Sequence, residues 1–327
     1  MAANLTRDEA RARSGLISVG SYQVELDLTG GDATFRSVSR IGFDCARPGA
    51  VTFVNLAAPR VRQITLNGAP VSLDAFDGER ITLAGLAASN ELVVDAECAY
   101  SRSGEGLHRF TDPADGNVYM YSDLETFDAH RIYACFDQPD LKAAYELSVL
   151  APEDWLVVSN MAADIEGGDL AGKATRRWHF PPTPVMSTYI THVSAGPYHV
   201  VRDKHDGIPL GIFCRRSLAA YLDADEIFEV TRQGFDFFHA VFGIKYPFGK
   251  YDQLFVPEFK EGAMENAGAV TFLEDYVFRS RVTDFSREAR GETILHEMAH
   301  MWFGDLVTMR WWDDLWLNES FATWAGT

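Results

Sequence analysis

Residues 286–303, SREARGETILHEMAHMWF, contain the sharpest signal in this chain. Their composition and apolar spacing predict a helix from about Ser286 to Phe303, with Asp284 or Ser286 as its cap and Gly304 as its stop. Inside this helix stands the run His296-Glu297-Met298-Ala299-His300.

Two histidines four residues apart lie on the same face of a helix, so the rings of His296 and His300 can reach one metal ion. Neutral imidazoles suit Zn²⁺, which prefers nitrogen, sulfur and carboxylate ligands in a tetrahedral shell. Glu297 is rotated by about 100° from His296, close enough to take a proton from a zinc-bound water. An accidental match on an ordinary helix is the alternative, expected in roughly one chain in a hundred.

A third ligand is available in Trp316-Leu317-Asn318-Glu319, with 18 residues between His300 and Glu319. A helix that begins near Trp316 and packs antiparallel to the first one would bring Glu319 back to the ion. Two histidines and one glutamate leave the fourth position open for water, as in catalytic zinc sites. The alternative is an exposed glutamate that the dipole of a first helical turn stabilises.

A second run of interest is Gly262-Ala263-Met264-Glu265-Asn266, followed by Ala267-Gly268. By itself it is typical of a glycine-bounded loop with a solvated glutamate. Together with the zinc motif it becomes specific.

The first two hundred residues have the pattern of strands. Apolar and polar residues alternate over 22–28, 92–98 and 145–149, the period of half-buried strands. Ile64 and Leu66 lead into Asn67-Gly68, which predicts a hairpin turn. Short strands at this density indicate a β sandwich or saddle-like domain over residues 1–200.

Residues 201–327 have a different pattern. Apolar positions follow a helical period from Asp225 to Phe242, and a third helix is expected from Trp316 to the end of the chain. Because that last helix has no stop, we expect the chain to be a fragment. The predicted fold class is α+β, a β domain followed by an incomplete catalytic domain.

Composition restricts the partners. The formal net charge is −18, which argues against nucleic acid as a ligand, since its binders cluster Lys and Arg. This charge serves solubility, or it supplies a negative cleft for a cationic group such as a peptide's amino end.

No apolar run is long enough to span a bilayer, and residues 1–14 lack a secretory signal. The four cysteines are scattered, so we expect reduced thiols and a cytoplasmic location without membrane contact; they are Cys45, Cys98, Cys135 and Cys214.

These motifs resemble the aminopeptidase N family, zinc exopeptidases of the gluzincin type, and in particular its actinobacterial members. The resemblance covers the whole chain. It rests on Gly262 to Asn266, His296 to His300, Met301 to Asp305, Trp316 to Glu319 and, in the β domain, Phe136 to Pro139.

The resemblance implies a thermolysin-like catalytic domain and one zinc ion per chain, bound by His296, His300 and Glu319. Glu297 would be the general base for hydrolysis by a zinc-activated water. The substrates would be peptides with a free N-terminus, and a monomer is favoured. The substrate-binding residues implied are Glu125, Gly262, Ala263, Met264, Glu265 and Asn266. Among them, Glu125 and Glu265 would bind the amino group of the substrate. Ala263 and Met264 would lie beside the substrate backbone and its first side chain. It also implies a cis peptide bond between Glu125 and Thr126.

One departure concerns the oxyanion. The family uses a tyrosine to stabilise the oxyanion, and the position of that tyrosine would lie past Thr327. A helical domain would follow it. A complete chain of this length would therefore lack the oxyanion donor and have weak or no peptidase activity. Three other interpretations stay open: an endopeptidase of the thermolysin sort, a bifunctional epoxide hydrolase–aminopeptidase, and a zinc-binding fragment without catalysis. The preferred N-terminal residue does not follow from the sequence.

Overall fold

The computed structural model of the chain describes residues 4–170 and 172–327. A helix, α1 (Arg7–Ser14), comes first. The strands described before residue 197 are β1 (Ile17–Asp27), β2 (Thr34–Cys45), β3 (Thr52–Asn55), β4 (Arg60–Leu66), β5 (Ala69–Pro70), β6 (Arg80–Leu83), β7 (Ser89–Ala99), β8 (Gly106–Thr111), β9 (Val118–Asp123), β10 (Ala144–Pro152), β11 (Leu156–Ser159), β12 (Asp164–Leu170), β13 (Lys173–Phe180) and β14 (Val193–Gly196).

The largest sheet has eight strands in the order β12-β13-β10-β1-β2-β7-β4-β5. β1 pairs in parallel with β10, and the remaining neighbours are antiparallel. The alternation predicted for residues 22–28 is confirmed, since Tyr22, Val24 and Leu26 are buried while the residues between them face outward. The Asn67-Gly68 hairpin is also confirmed, because both residues have positive φ between β4 and β5.

Two smaller sheets complete this β region. β11-β14-β9-β8 form one, and β3 pairs with β6 in the other. Apolar side chains from the sheets meet in one continuous core, which includes Tyr22, Tyr121 and Phe136. The second sheet matters for function because β9 ends two residues before Glu125.

The remaining strands are β15 (His199–His205), β16 (Ile208–Cys214), β17 (Tyr251–Val256), β18 (Ala263–Met264) and β19 (Ala269–Leu273), which form a sheet in the order β15-β16-β17-β19-β18. Three helices accompany this sheet: α2 (Ala224–Phe242), α3 (Asp284–His300) and α4 (Leu315–Gly326). Short 3₁₀ helices span Leu73–Ala75, Ala129–Arg131, Thr188–Ile190, Arg216–Tyr221, Glu274–Tyr276 and Trp312–Asp314. The α+β class is therefore confirmed, and no helix among the described residues is long and apolar enough to cross a membrane.

The predicted limits of α3 were wrong by a few residues. Its cap is Thr283, whose hydroxyl accepts a hydrogen bond from the Ser286 backbone, so Asp284 already belongs to the helix. The helix ends at His300 and not at Phe303. Gly304, with φ of 130°, belongs to the turn that follows, where its N–H donates to the Val307 carbonyl.

Candidate active site

Two helices bring the candidate metal ligands together. α3 carries His296 and His300, and α4 runs back along it, so that Asn318 lies beside His300 and Gly326 beside His296. A Cβ on Gly326 would lie 2.8 Å from the His296 backbone nitrogen. Glycine therefore permits the close approach that places Glu319 opposite both histidines.

The three side chains converge at one point. The Nε2 atoms of His296 and His300 are 2.9 Å apart. Glu319 Oε2 lies 3.4 Å from the first and 3.7 Å from the second. One ligand atom from each residue lies within 4.8 Å of the others, so a single ion between them can reach all three.

This donor set fits zinc. Two imidazole nitrogens and one carboxylate oxygen are the ligands of catalytic zinc sites, which keep a fourth position open. His300 Nδ1 lies 3.0 Å from the Phe303 carbonyl oxygen, an acceptor that holds the ring proton on Nδ1 and leaves Nε2 free to bind a metal. The residues present thus suit the ion that the sequence predicts.

Charge in this centre favours a cation. Burial works to lower the pKa of His300, but the Glu265 and Glu319 carboxylates raise it well above its usual value. Burial also works to raise the pKa of Glu319, whereas the neighbouring His296 and His300 side chains lower it to about 2. The raised pKa of His300 and the lowered pKa of Glu319 both indicate that the surrounding groups stabilise a positive charge between them.

Glu297 lies beside the ligands without being one of the converging three. It is 5% exposed and lines the cleft next to His296. Its Oε2 atom is buried and accepts no hydrogen bond from the described part of the chain. Burial raises the pKa of this carboxyl well above its ordinary value. A buried carboxylate with a free oxygen is suited to exchange protons with a reactant.

Glu265 follows the edge strand β18 and is 3% exposed. The loop around it is fixed from the β region, because Asn160 Nδ2 donates to the carbonyls of Ala267 (2.8 Å) and Ile190 (2.9 Å). Gly268 has φ of 72°, and a Cβ there would lie 2.6 Å from the Asn160 carbonyl oxygen. The glycine is required by this close approach.

Glu125 reaches the same place from the other side. The Glu125–Thr126 peptide bond is cis, as the resemblance implies. Carboxylate oxygens of Glu125, Glu265 and Glu319 lie within 4.8 Å of one another. Burial first, and then the neighbouring Glu265, raise the pKa of Glu125 well above its usual value. The carboxylate pair expected for an amino group is therefore adjacent to the metal ligands.

A cleft of about 500 Å³ exposes this arrangement. Its wall includes Gly262 and Ala263, but Met264 is buried with 2% exposure and the Asn266 amide donates to Thr271. Both residues are buried here, and their predicted role in substrate binding stays a prediction. The glutamates that line the cleft are Glu125, Glu261, Glu265, Glu292, Glu297 and Glu319.

Comparison with known families identifies the family of this chain. Residues 20–190 match the peptidase M1 N-terminal domain, which is more than half of the chain, and residues 226–327 match the peptidase family M1 domain. The chain belongs to peptidase family M1. The family that the motifs resemble is thus confirmed.

Several M1 relatives are similar over almost the whole chain. Aminopeptidase N of Streptomyces lividans is 54% identical over 98% of this chain. A probable aminopeptidase 1 of Saccharolobus solfataricus is 32% identical over 94%, and the tricorn protease-interacting factor F2 of Thermoplasma acidophilum is 31% identical over 93%. In each case the aligned region is 38% of the relative's own length. The chain thus spans well under half of these M1 proteins.

Two buried residues near the candidate metal ligands are not predicted from the sequence. Asn318 is 4% exposed and contacts both His300 and Glu265. Asp305 is 1% exposed, and burial raises the pKa of its carboxyl well above the usual value. Both stand next to or within motifs already noticed, but nothing in the sequence alone shows that their side chains turn inward.

Proposed function

We propose that this chain holds the zinc and amino-terminus sites of an aminopeptidase, which hydrolyses the first peptide bond of peptides. The observation that carries the proposal is the position of Glu125 and Glu265, whose carboxylates lie within 4.8 Å of the Glu319 carboxylate. An ammonium group in a partly buried cleft needs neighbouring negative charge. These two carboxylates supply that charge at a fixed short distance from the metal ligands.

In this proposal His296, His300 and Glu319 bind one zinc ion. Zinc, when bound, polarises the scissile carbonyl and makes water more acidic. Glu297 accepts the proton of the attacking water at its free Oε2 and returns it to the departing amine. Glu125 and Glu265 hold the amino terminus, so that only the first peptide bond reaches Glu297.

The endopeptidase interpretation gives no role to this carboxylate pair, which is why we favour an exopeptidase. The six glutamates of the cleft agree with the negative cleft considered from the composition. We further propose a cytoplasmic location, supported by the four cysteines, which are free and buried.

Glu265→Ala tests the proposal. We expect the zinc-loaded variant to keep its metal but to lose preference for a dipeptide amide with a free amino group over its N-acetylated counterpart. Removing one partner of a buried charge pair should weaken binding of the free amine by at least about 30-fold, measured by calorimetry and by hydrolysis. Glu288→Ala, at an exposed position of α3, is the control and should match the wild type.

Two outcomes would contradict the proposal. Wild-type protein that binds or cleaves the acetylated peptide equally well would point to an endopeptidase. Stoichiometric zinc without binding of either peptide would support the non-catalytic interpretation. A parallel loss of zinc and peptide binding in Glu265→Ala would instead show that this residue is needed for the fold of the site.

A further inference from the structure

Asn318 occupies the space between the metal centre and the amino-terminus site. It lies in the first turn of α4, immediately before the proposed ligand Glu319, and is 4% exposed. Its Oδ1 atom is 2.8 Å from His300 Nδ1, and its Nδ2 atom is 3.1 Å from Glu265 Oε1. One amide thus contacts a residue from each of the two proposed sites.

The chemistry of the neighbours fixes the orientation of this amide. The Glu265 carboxylate accepts hydrogen bonds, so the NH₂ group of Asn318 must face it. The amide oxygen then faces His300, and the Nδ1–H of that ring must be the donor. The hydrogen bond therefore supports the tautomer in which Nε2 is free for a metal.

The fold makes specific room for Asn318. Gly304 has φ of 130°, a backbone conformation in which a side chain is strained. A Cβ at Gly304 would lie 2.4 Å from Asn318 Oδ1. The turn after α3 thus has a glycine where any larger residue would push the amide away from His300.

We propose that Asn318 is a positioning residue that fixes the distance between the metal centre and the amine-binding carboxylate. This inference rests on the proposed function. The oxygen of the amide orients His300, and its NH₂ group holds Glu265 Oε1 at 3.1 Å. Because the same planar group makes both contacts, the amino terminus of a substrate is held at a set distance from the metal.

Two variants separate the two contacts. Asn318→Leu is similar in size and removes both hydrogen bonds, whereas Asn318→Asp keeps an oxygen for His300 but offers no donor to Glu265. Since the Phe303 carbonyl still accepts from His300 in either variant, the metal site should survive in weakened form in Asn318→Leu. Two readouts are needed: zinc affinity by chelator competition, and calorimetric binding of a dipeptide amide and its N-acetylated counterpart to the zinc-loaded chain.

We expect Asn318→Leu to lower zinc affinity by about 10-fold or more and also to reduce the preference for the free amine. Asn318→Asp should bind zinc within a few-fold of the wild type, but its preference for the free amine should fall by about 10-fold, the usual effect of losing a hydrogen bond to a charged group. If Asn318 were needed only for folding, Asn318→Asp would not lower the preference for the free amine while leaving zinc affinity nearly unchanged.

Asn90→Asp is the matched control. Asn90 is 5% exposed, lies in the β region, and its Nδ2 donates to the Ala87 carbonyl, so the same chemical change removes one buried donor far from the site. It should lower the melting temperature without changing zinc affinity or amine preference.

The proposal is overturned if Asn318→Asp keeps the wild-type preference for the free amine, or if Asn318→Leu binds zinc as tightly as the wild type. Should Asn318→Leu fail to fold, Asn318→Asp still decides the contact with Glu265. Wild-type protein that shows no amine preference would contradict the proposed function itself, which keeps the two failures distinct.

Discussion

At the scale of single residues, Glu297 and its helical neighbours have different environments on one turn of α3. His296 and His300 direct Nε2 atoms at each other across 2.9 Å, while Glu297 has one buried oxygen without a partner among the residues described. A group with this freedom is suited to proton transfer, whereas the histidines are suited to hold an ion.

We expect Glu297→Gln to bind one zinc ion with wild-type affinity but to lose at least about 100-fold in the rate of peptide hydrolysis, because an amide cannot accept the proton. Zinc content by metal analysis and single-turnover hydrolysis check this prediction. Glu288→Gln, an exposed change on the same helix, should leave both quantities unchanged. A Glu297→Gln protein that hydrolyses peptides at the wild-type rate would remove Glu297 from the proposed mechanism.

How far the sequence predicts the site differs from residue to residue. The convergence of His296, His300 and Glu319 follows from helical spacing and an antiparallel return, both of which are visible in the sequence. Glu125 needed the resemblance, since it lies 140 positions before Glu265 and no local pattern links the two. Asn318 was missed because its importance depends on burial and on two partners from other elements.

At the scale of elements, α2 and α3 touch through a glycine. A Cβ on Gly234 of α2 would lie 2.6 Å from Leu295 Cδ2 and 2.9 Å from Met298 Sδ, both on α3. By contrast, nothing lies within 4 Å of a Cβ built on Gly291, inside α3. The same substitution at these two glycines should therefore have opposite effects.

We expect Gly291→Ala to raise the free energy of unfolding by up to about 1 kcal/mol, the gain in helix propensity. Gly234→Ala gains the same helix propensity, but the added methyl group overpacks the contact between α2 and α3 at a cost of about 1–3 kcal/mol. The free energy of unfolding of this variant should therefore fall by about 1 kcal/mol. Urea unfolding of both variants measures this. If both substitutions changed the free energy of unfolding in the same direction, α2 and α3 would pack less closely than the distances around Gly234 indicate.

α1 carries a pH-dependent contact. Glu9 closes a capping box with Thr6, and the hydrogen bond from the Arg80 side chain lowers the pKa of Glu9 to about 2. Because this pKa is depressed in the folded state, the contact contributes stability above the unfolded value near 4.5, and that stability is lost as the pH falls toward 2.

We therefore expect Glu9→Gln to be less stable than the wild type at pH 6, with a difference that shrinks between pH 4.5 and pH 3. Urea unfolding at several pH values measures it. Arg80→Met removes the main cause of the lowered Glu9 pKa. In that background, Glu9→Gln should reduce the free energy of unfolding much less. A difference that grows toward acid pH would contradict this assignment.

The elements themselves were predicted unevenly. The helices α2 and α4 begin within a residue of the predicted positions, and α2 has a clear apolar period. α1 is not predicted, although Thr6 and Glu9 have the spacing of a capping box, because residues 1–14 are polar and charged and show no apolar stripe. The boundary between the two proposed domains at residues 200 and 201 stays a prediction.

At the scale of the whole molecule, the candidate site joins distant parts of the chain. Glu125 comes from the turn after β9, Glu265 is the residue that follows the strand β18, and Glu319 comes from α4. Several carboxylates meet there in a chain of net charge −18, and their mutual repulsion opposes folding. A bound divalent cation relieves that repulsion, so metal binding and stability should be coupled.

We expect chelation of zinc to lower the melting temperature and stoichiometric zinc to restore it. At free zinc of about 100 times its dissociation constant, the folded state should gain about 2.7 kcal/mol. Scanning calorimetry with and without chelator measures the shift. His300→Ala, which removes one proposed ligand, should show little zinc-dependent shift, and an equal shift in that variant would place the stabilising metal elsewhere.

One zinc ion is proposed to be shared by His296, His300 and Glu319. The most direct measurement is an anomalous diffraction map recorded at the zinc absorption edge on crystals of the zinc-loaded chain. We expect one strong peak about 2.0–2.2 Å from Nε2 of both histidines and from a carboxylate oxygen of Glu319. A zinc peak bound by other residues, or none at this centre despite stoichiometric zinc in the crystal, would contradict it.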